Sequence, residues 1–258
     1  MVDSLQVAPR VADGDFAPRV ENPNGPHAAL LVCEHASARM PASFDGLGLR
    51  KEDLDSHIAW DPGALETARH LSTILDATIV HSTVSRLIYD CNRPPDADSA
   101  MPARSEETAV PGNTGLTVEE KAERTRQFYR PFEALLSDTL SSRSDQSVLV
   151  TIHSFTPIFR GQKRSVEIGI LHDDDSRLAD ALLQVAGGFR IERNAPYGPE
   201  DGVTHTLRQH AMPRGILNVM FEIRNDLIAS SEQCESMAQT LAGWLTKAIA
   251  ICAEEGRG

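Results

Sequence analysis

The sequence of 258 residues is poor in cysteine and contains no long apolar run, and these deficits exclude several classes of protein. Its four cysteines are widely spaced and form no CxxC pair, so we expect reduced thiols and no disulfide framework. No apolar stretch approaches the roughly 20 residues that a transmembrane helix needs. The first residues also lack the apolar segment of a secretory signal. These absences predict a cytoplasmic protein that does not bind a membrane.

Positive charge is also scarce in this chain. It contains 25 Lys and Arg against 37 Asp and Glu, which gives a formal net charge of −12. A chain this acidic is not expected to bind nucleic acid or an anionic membrane surface. Arginines that gather in one pocket of such a protein are therefore informative, because an anionic small molecule is their simplest explanation.

The sequence does contain enough apolar residues for one complete hydrophobic core. Hydrophobic residues make up 41% of the chain, and its length is at the upper end of a single domain. We predict an N-terminal arm over residues 1–26 and a single α/β domain over residues 27–258. The segment 94–116 is rich in Pro, Asp, Ser and Gly and is longer than most connections, which predicts a lid.

Short apolar runs rich in β-formers predict strands over residues 30–33, 78–81, 86–91, 148–152, 166–171, 189–191 and 216–221. Periodic apolar residues predict helices over 64–75, 117–140, 176–185 and 234–251, with a short helix near His205. Asp61 followed by Pro62 is a typical helix start with Asp61 as the N-cap, and Thr117 with Glu120 forms a capping box. The alternation of strands and helices predicts an α/β fold, with a mixed, mostly parallel sheet and helices on both faces.

Three of these strands end in residues that can bind a metal ion or transfer a proton. The first runs into Glu34 and His35, another into His153, and the last into Glu222. Carboxyl ends of parallel strands face the ligand crevice of an open α/β sheet. If these three ends are neighbours, two imidazoles and one or two carboxylates converge. That set is typical of a catalytic Zn²⁺ site with a general base beside it.

Several blocks of the sequence between Leu30 and Ile228 resemble the N-formylglutamate amidohydrolase family. The blocks are Glu34-His35-Ala36-Ser37, the Ser-Arg-x-x-x-Asp-x-Asn-Arg pattern of residues 85–93, His153-Ser154, Glu192-Arg193-Asn194-Ala195-Pro196-Tyr197 and Phe221-Glu222-Ile223-Arg224. The second block is the most specific, because so many fixed positions in a short stretch rarely match by chance. That family distantly resembles the zinc carboxypeptidases and acylases, which implies a phosphorylase/hydrolase-like α/β sandwich and one catalytic zinc.

The resemblance implies roles for individual residues. It identifies His35 and His153 as zinc ligands. Related enzymes use an Asn-Arg pair to hold a substrate carboxylate, which implies the same role for Asn92 and Arg93, since a guanidinium grips a carboxylate bidentately. Arg86 and Asp90 share one face of the predicted strand, which suggests Arg86 for the scissile carbonyl or a second carboxylate and Asp90 for orienting an arginine. Arg193 and Asn194 are expected on the far side of the pocket.

Glu34 and Asp61 compete for the third ligand position. Adjacent residues on a strand point to opposite faces, so Glu34 does not easily join His35 on one metal unless the strand has already ended. Asp61 is our preferred ligand. Its predicted N-cap role is compatible with ligation, because a carboxylate has two oxygens.

These residues predict a zinc-dependent amidohydrolase that cleaves an N-acyl amide of an acidic amino acid, such as N-formylglutamate. Glu222 is the expected general base and then general acid, although a salt bridge to Arg224 or a neighbouring arginine is its simpler structural interpretation. Zinc and Arg86 are expected to hold the oxyanion. Two alternatives remain open at this point. One is a non-catalytic module of the same fold that binds an acidic ligand. The other is a zinc amidase or peptidase that acts on another modified amino acid or peptide.

Overall fold

The computed structural model of the chain describes residues 16–143 and 147–255, so residues 1–15 of the predicted arm lie outside the described residues. The strands, in chain order, are β1 (Arg19–Glu21), β2 (Ala29–Cys33), β3 (Thr78–His81), β4 (Arg104–Ser105), β5 (Thr108–Ala109), β6 (Val148–Phe155), β7 (Ile158–Phe159), β8 (Gln162–Lys163), β9 (Ile168–Leu171), β10 (Ile191–Arg193) and β11 (Leu217–Arg224). The α-helices are α1 (Lys51–Leu54), α2 (Ala64–Leu75), α3 (Val118–Arg124), α4 (Arg130–Ser141), α5 (Arg177–Val185) and α6 (Ser231–Glu255). None of the helices in the described part of the chain has the length and apolar character needed to cross a membrane.

The centre of the structure is a seven-stranded sheet in the order β1–β3–β2–β6–β11–β9–β10. Strands β3, β2, β6 and β11 are parallel to one another, and β10 is parallel to β9. Strand β1 is antiparallel to β3, and β9 is antiparallel to β11. The prediction of a mixed, mostly parallel sheet is therefore confirmed. Strand β1 belongs to the described part of the predicted arm, so that part of the arm joins the sheet.

Helices cover both faces of this sheet, as predicted. Helices α2, α5 and α6 pack on one face against residues such as Leu31, Val150 and Phe221. Helix α4 and the segment 84–110 cover the other face, where Leu30 and Leu149 are buried. The central strands are thus buried on both sides, which explains why they are almost continuously apolar in sequence.

Strand register determines which polar residues share a face. His153 of β6 lies directly beside Glu222 of β11 in the parallel ladder. Side chains alternate along a strand, so both residues point to the same face as Leu149 and Met220. The polar strand ends therefore lie on the face that α4 and the segment 84–110 cover.

One predicted strand does not form. Residues 86–91 follow an irregular path with turns, so the strand prediction was wrong. Ser85 Oγ accepts a hydrogen bond from the Leu87 N–H at 3.2 Å, and Asp90 Oδ1 accepts one from the Asn92 N–H at 2.9 Å. Such local side-chain bonds compete with a strand ladder for backbone N–H groups. The segment is a loop instead.

The predicted lid, residues 94–116, has secondary structure of its own. It contains the β4–β5 hairpin and two short 3₁₀ turns. The capping box between Thr117 and Glu120 is present and begins α3. A π-helical turn at Thr125–Tyr129 joins α3 to α4, so the long predicted helix is confirmed.

Candidate active site

A cavity of about 260 Å³ lies at the carboxyl ends of the central strands. His35, Asp61, His153 and Glu222 line this cavity, although they come from distant parts of the chain. Arg86, Asn92 and Arg93 also line it. The strand ends that the sequence indicated are therefore neighbours in the fold.

Three of the lining residues present a possible set of metal ligands. Asp61 Oδ2 lies 3.3 Å from His35 Nδ1 and 2.9 Å from His153 Nδ1, and the two imidazole nitrogens are 3.1 Å apart. Each of these residues is only 2% to 3% exposed. Ligand atoms around a tetrahedral zinc with bonds of about 2.1 Å lie roughly 3.4 Å from one another. His35, Asp61 and His153 thus fit a small divalent ion such as Zn²⁺ in atom type, spacing and burial.

Two further carboxylates lie against the imidazole rings. His35 Nε2 lies 2.6 Å from Asp90 Oδ1, and His153 Nε2 lies 3.0 Å from Glu34 Oε2. A carboxylate at Nε2 favours the tautomer that carries its hydrogen there and leaves Nδ1 free to bind a metal. Glu34 therefore lies at the Nε2 side of His153, whereas Asp61 lies at the Nδ1 atoms of both histidines. Of the two candidate carboxylates, Asp61 is the one placed with the possible metal ligands.

The position of Asp61 depends on the loop between β2 and α2. The Asp61 N–H donates to the His35 carbonyl at 2.9 Å, and the Ser154 N–H donates to Asp61 Oδ2 at 3.2 Å. Helix α2 begins only at Ala64, after Gly63 in a left-handed conformation (φ 80°) and with no side-chain cap. The prediction that Asp61 caps this helix was wrong, because its carboxylate faces the two histidines. Burial opposes ionisation, but His35 and His153 hold the pKa of Asp61 well below its usual range.

Glu222 provides a carboxylate without a structural partner. Burial raises its pKa from an ordinary value near 4.5 to about 7. Its Oε2 atom is buried and has no hydrogen-bond partner among the residues that the structure describes. Arg224 pairs instead with Asp226 at 2.7 Å and with Glu167 at 3.5 Å. The salt bridge that would have given Glu222 a purely structural role is therefore absent from the described structure.

The two arginines that line the cavity differ in whether acidic side chains pair with them. Arg86 lies 2.9 Å from Asp90 and 3.3 Å from Asp61, so two carboxylates already face its guanidinium. Arg93 donates to the backbone carbonyls of Asn92 and Gly202, both at 2.9 Å, and forms no ion pair with a described carboxylate. Arg93 is thus the better placed of the two to bind an anion.

Asn92 has a positioning role in the structure. Its side-chain amide donates to the Val203 carbonyl, and its Oδ1 accepts from the Thr206 N–H at 3.0 Å. Both polar atoms of the side chain are therefore used to hold the neighbouring loop, which also carries Gly202, the second acceptor of Arg93. The Asn-Arg pair acts as a unit in which Asn92 fixes the loop and Arg93 faces the cavity.

Known proteins resemble this chain in sequence and in fold. The model of the N-formylglutamate amidohydrolase family matches residues 27–229. The chain belongs to this family. A gene product of Agrobacterium tumefaciens with a crystal structure is 52% identical, and the match covers 91% of this chain and 95% of that one with a TM-score of 0.89. No curated protein sequence matched the chain.

An N-formylglutamate amidohydrolase from Ralstonia eutropha shares the fold at lower similarity. It is 19% identical, and the match covers 94% of this chain and 99% of that chain with a TM-score of 0.64. At this level of identity the likeness concerns the fold alone. The α/β architecture expected from the family resemblance is thus confirmed.

Two residues of the family block 192–197 lie away from the cavity. Arg193 pairs with Asp180 at 2.5 Å and donates to His172, and Asn194 accepts from the His172 N–H at 2.9 Å. Neither residue is among those that line the cavity, so their place on its far side stays a prediction. Tyr197, at the end of the same block, lies in the wall instead.

The predicted lid supplies part of the cavity wall. Ser105 and Glu106 of the β4–β5 hairpin line it, and Glu106 Oε1 lies 2.8 Å from His57 Nε2. Sequence reasoning did not single out His57, because a histidine in a polar loop carries no pattern. The involvement of residues 94–116 was indicated only by their length and composition.

Proposed function

We propose that this protein is a metal-dependent amidohydrolase that cleaves an N-formyl-type amide of an acidic amino acid such as N-formylglutamate. One observation carries this proposal. Three metal-ligand atoms, an unpaired carboxylate and an arginine without an acidic partner meet in a single buried cavity. Membership of an amide-hydrolase family supports the same reaction. Because a non-catalytic binding module has no need for an unpaired buried carboxylate, the catalytic interpretation is favoured.

His35, Asp61 and His153 would hold the metal, with Zn²⁺ as the expected ion. Asp90 is hydrogen-bonded to His35 and would keep that imidazole in the orientation that ligation needs, while the charge of Glu34 lies 3.0 Å from His153 Nε2. When bound, the ion supplies a Lewis acid that polarises the scissile carbonyl and makes water more acidic. Imidazole and carboxylate ligands also accept other divalent ions, so the metal content of the purified protein is the direct test.

Glu222 would move the proton. Burial raises the pKa of Glu222 above that of an ordinary carboxyl group, which makes it a better proton acceptor than an exposed carboxylate. It can therefore accept a proton from the attacking water and donate it to the leaving amine. Arg86 faces the same cavity and would help to hold the negative charge that develops on the amide oxygen.

Arg93 would hold the carboxylate of the amino acid. The cavity of about 260 Å³ is smaller than the roughly 300–1,000 Å³ of pockets that bind drug-sized ligands, which favours a small substrate over a peptide. All four cysteines are free, as expected for a protein that works in the reducing cytoplasm. We therefore propose a small anionic N-acyl amino acid as the substrate and the cytoplasm as the location.

The test combines metal analysis with a substrate panel. The protein is purified without chelator, its metal content is measured, and hydrolysis is followed for N-formylglutamate, N-acetylglutamate, N-formylleucine and a glutamate-containing dipeptide. We expect one metal ion per chain and the highest kcat/KM for an N-acylated acidic amino acid. Hydrolysis of the dipeptide alone would contradict the proposal, and so would the absence of bound metal together with the absence of activity.

The Arg93→Lys variant tests the role of this arginine. Lysine keeps the charge but loses the planar fork that binds a carboxylate through two hydrogen bonds. We expect KM for the anionic substrate to rise about tenfold or more, with a smaller change in kcat. Steady-state kinetics measure both constants. Arg104→Lys is a suitable control, because this arginine is exposed and bonds only to the Glu107 carbonyl. Equal KM values for wild type and Arg93→Lys would remove the carboxylate-binding role.

The Asp90→Asn variant tests whether Asp90 orients a metal ligand. Asparagine has nearly the same size but removes the negative charge 2.6 Å from His35 Nε2. Loss of such a partner typically weakens metal affinity about 10–100-fold, so we expect this change in a competition titration against a chelator. Asp175→Asn, a change remote from the cavity, should leave the affinity unchanged. A folded Asp90→Asn protein with the affinity of wild type would show that Asp90 does not support the site.

A further inference from the structure

The family block 192–197 places Tyr197 in the cavity wall, and Gly169 on the neighbouring strand leaves room for the backbone of this block. Asn194 adopts a left-handed conformation (φ 46°), and its N–H donates to the Ile170 carbonyl at 3.1 Å. A Cβ atom at Gly169 would lie 2.0 Å from the Ala195 carbonyl oxygen, so the close approach requires glycine here. Gly169 is paired with Glu222 in the ladder. The chain after Asn194 therefore passes beside the strand position of Glu222 and places Tyr197 in the cavity wall.

The Tyr197 hydroxyl is held from behind by an arginine. Arg164 Nη2 donates to Tyr197 Oη at 2.8 Å. The guanidinium also lies against the rings of Phe159, Tyr197 and Phe155, at 4.4, 4.7 and 5.3 Å from their centroids. All three rings line the cavity. The hydroxyl oxygen of Tyr197 thus accepts from Arg164, and its own hydrogen has no acceptor among the described residues.

Arg164 carries a positive charge that the described protein does not balance. It forms no ion pair with any carboxylate in residues 16–143 and 147–255, although the chain is strongly acidic. Its Nη1 atom is buried and has no hydrogen-bond partner there. A buried cationic donor without a partner is costly. An anion bound to the Tyr197 hydroxyl, which accepts from the same guanidinium, would offset part of this cost.

The substrate class supplies an anionic group for this position. An N-acylated acidic amino acid has two carboxylates, one on the α-carbon and one on the side chain. Arg93 can hold only one of them, and Arg86 already faces Asp61 and Asp90. The second carboxylate therefore needs another positive group near the cavity wall. Among the described residues, Arg164 lacks an acidic partner and contacts a residue of the wall, Tyr197.

We propose that Tyr197, supported by Arg164, binds the side-chain carboxylate of the substrate and makes the enzyme prefer acidic over neutral amino acids. This inference rests on the proposed function and names its specificity-determining residue. The Tyr197 hydroxyl donates its hydrogen to the carboxylate. Arg164 is a positioning residue, because it donates to the same hydroxyl oxygen. That bond orients the hydroxyl and strengthens it as a donor.

Two measurements on the metal-loaded protein test this subsite. The first is calorimetric binding of L-glutamate and L-glutamine, which differ only in the charge of the side-chain terminus. The second is kcat/KM for N-formylglutamate and N-formylglutamine. Both are made on wild type, Tyr197→Phe, Arg164→Gln and the control Tyr129→Phe, which removes a hydroxyl that bonds to His205 away from the cavity. The quantity compared is the ratio between the acidic and the neutral compound.

We expect wild type and Tyr129→Phe to prefer the acidic compound, and Tyr197→Phe and Arg164→Gln to lose at least tenfold of that preference. The loss should come from weaker binding and a higher KM for the acidic compound, while values for the neutral compound and kcat stay within about threefold. A merely structural defect would weaken both compounds together and would overturn the proposal. Unchanged preference in Tyr197→Phe, or no preference in wild type, would overturn it as well.

The two measurements separate this subsite from the proposed reaction. If wild type hydrolyses neither formyl compound but binds glutamate more tightly than glutamine, and Tyr197→Phe abolishes that difference, the subsite stands and the proposed reaction fails. If wild type hydrolyses N-formylglutamate and Tyr197→Phe keeps the full preference, the reaction stands and the subsite fails.

Discussion

The His35→Ala and His153→Ala variants are expected to lose bound zinc and at least 99% of the amide-hydrolysing activity. Each change removes one of the three atoms that meet within 3.3 Å of one another, and the remaining two ligands are fewer than catalytic zinc sites use. Metal analysis after dialysis measures the first effect, and hydrolysis of N-formylglutamate measures the second. Both variants should keep the circular dichroism spectrum of a folded α/β protein, since neither ring belongs to the two apolar clusters of the core.

A matched control is His81→Ala. His81 is also buried, but it lies on β3, does not line the cavity, and bonds to the Ser82 carbonyl and Glu21. This variant should retain one metal ion per chain. Stoichiometric zinc in both His35→Ala and His153→Ala would exclude the proposed ligand set, whereas loss of metal in all three variants would point to a general loss of structure.

The Glu222→Gln variant should lower kcat by about 100-fold or more while metal content stays at the wild-type level. Glutamine keeps the shape of the side chain but cannot accept and return a proton. Since Glu222 is placed here as the proton carrier and not as a ligand, metal binding should not depend on its charge. Stopped assays for kcat and elemental analysis of the same preparation measure the two quantities together.

Glu167→Gln is the control for this change, because Glu167 contacts Arg224 and lies outside the cavity lining. It should leave kcat within about threefold of wild type. If Glu222→Gln loses its metal, Glu222 belongs to the ligand set and the assignment of Asp61 must be revised. If the variant retains both metal and full kcat, another residue carries the proton.

The sequence alone determined the architecture and the location of the site. A short, continuous run of apolar β-formers is a local property of the sequence, so the runs before His35, His153 and Glu222 predict buried strands without knowledge of the rest of the fold. The carboxyl ends of parallel strands lie together in any open α/β sheet, which placed these three residues in one crevice. The capping box at Thr117 was equally local, and its prediction was confirmed.

Only the tertiary structure decided which polar groups meet within that crevice. Asp61 and Glu34 are both carboxylates and both were candidates for the third metal ligand. The path of the loop before α2 places the Asp61 carboxylate at the imidazole Nδ1 atoms, whereas Glu34 lies at Nε2 of His153. The segment 86–91 has the apolar pattern of a strand, but the side-chain bonds of Ser85 and Asp90 turn it into a loop.

The same limit applies to the block 192–197. Its charged and amide residues, Arg193 and Asn194, are the obvious candidates in the sequence, yet they bond to their neighbours at the surface. Tyr197 reaches the cavity because Gly169, on another strand, leaves room for the Ala195 carbonyl. Local patterns specify strands, faces and caps, because these depend on neighbours along the chain. Contacts between residues far apart in sequence, such as His35 and His153 with a separation of 118 residues, depend on how the whole chain packs.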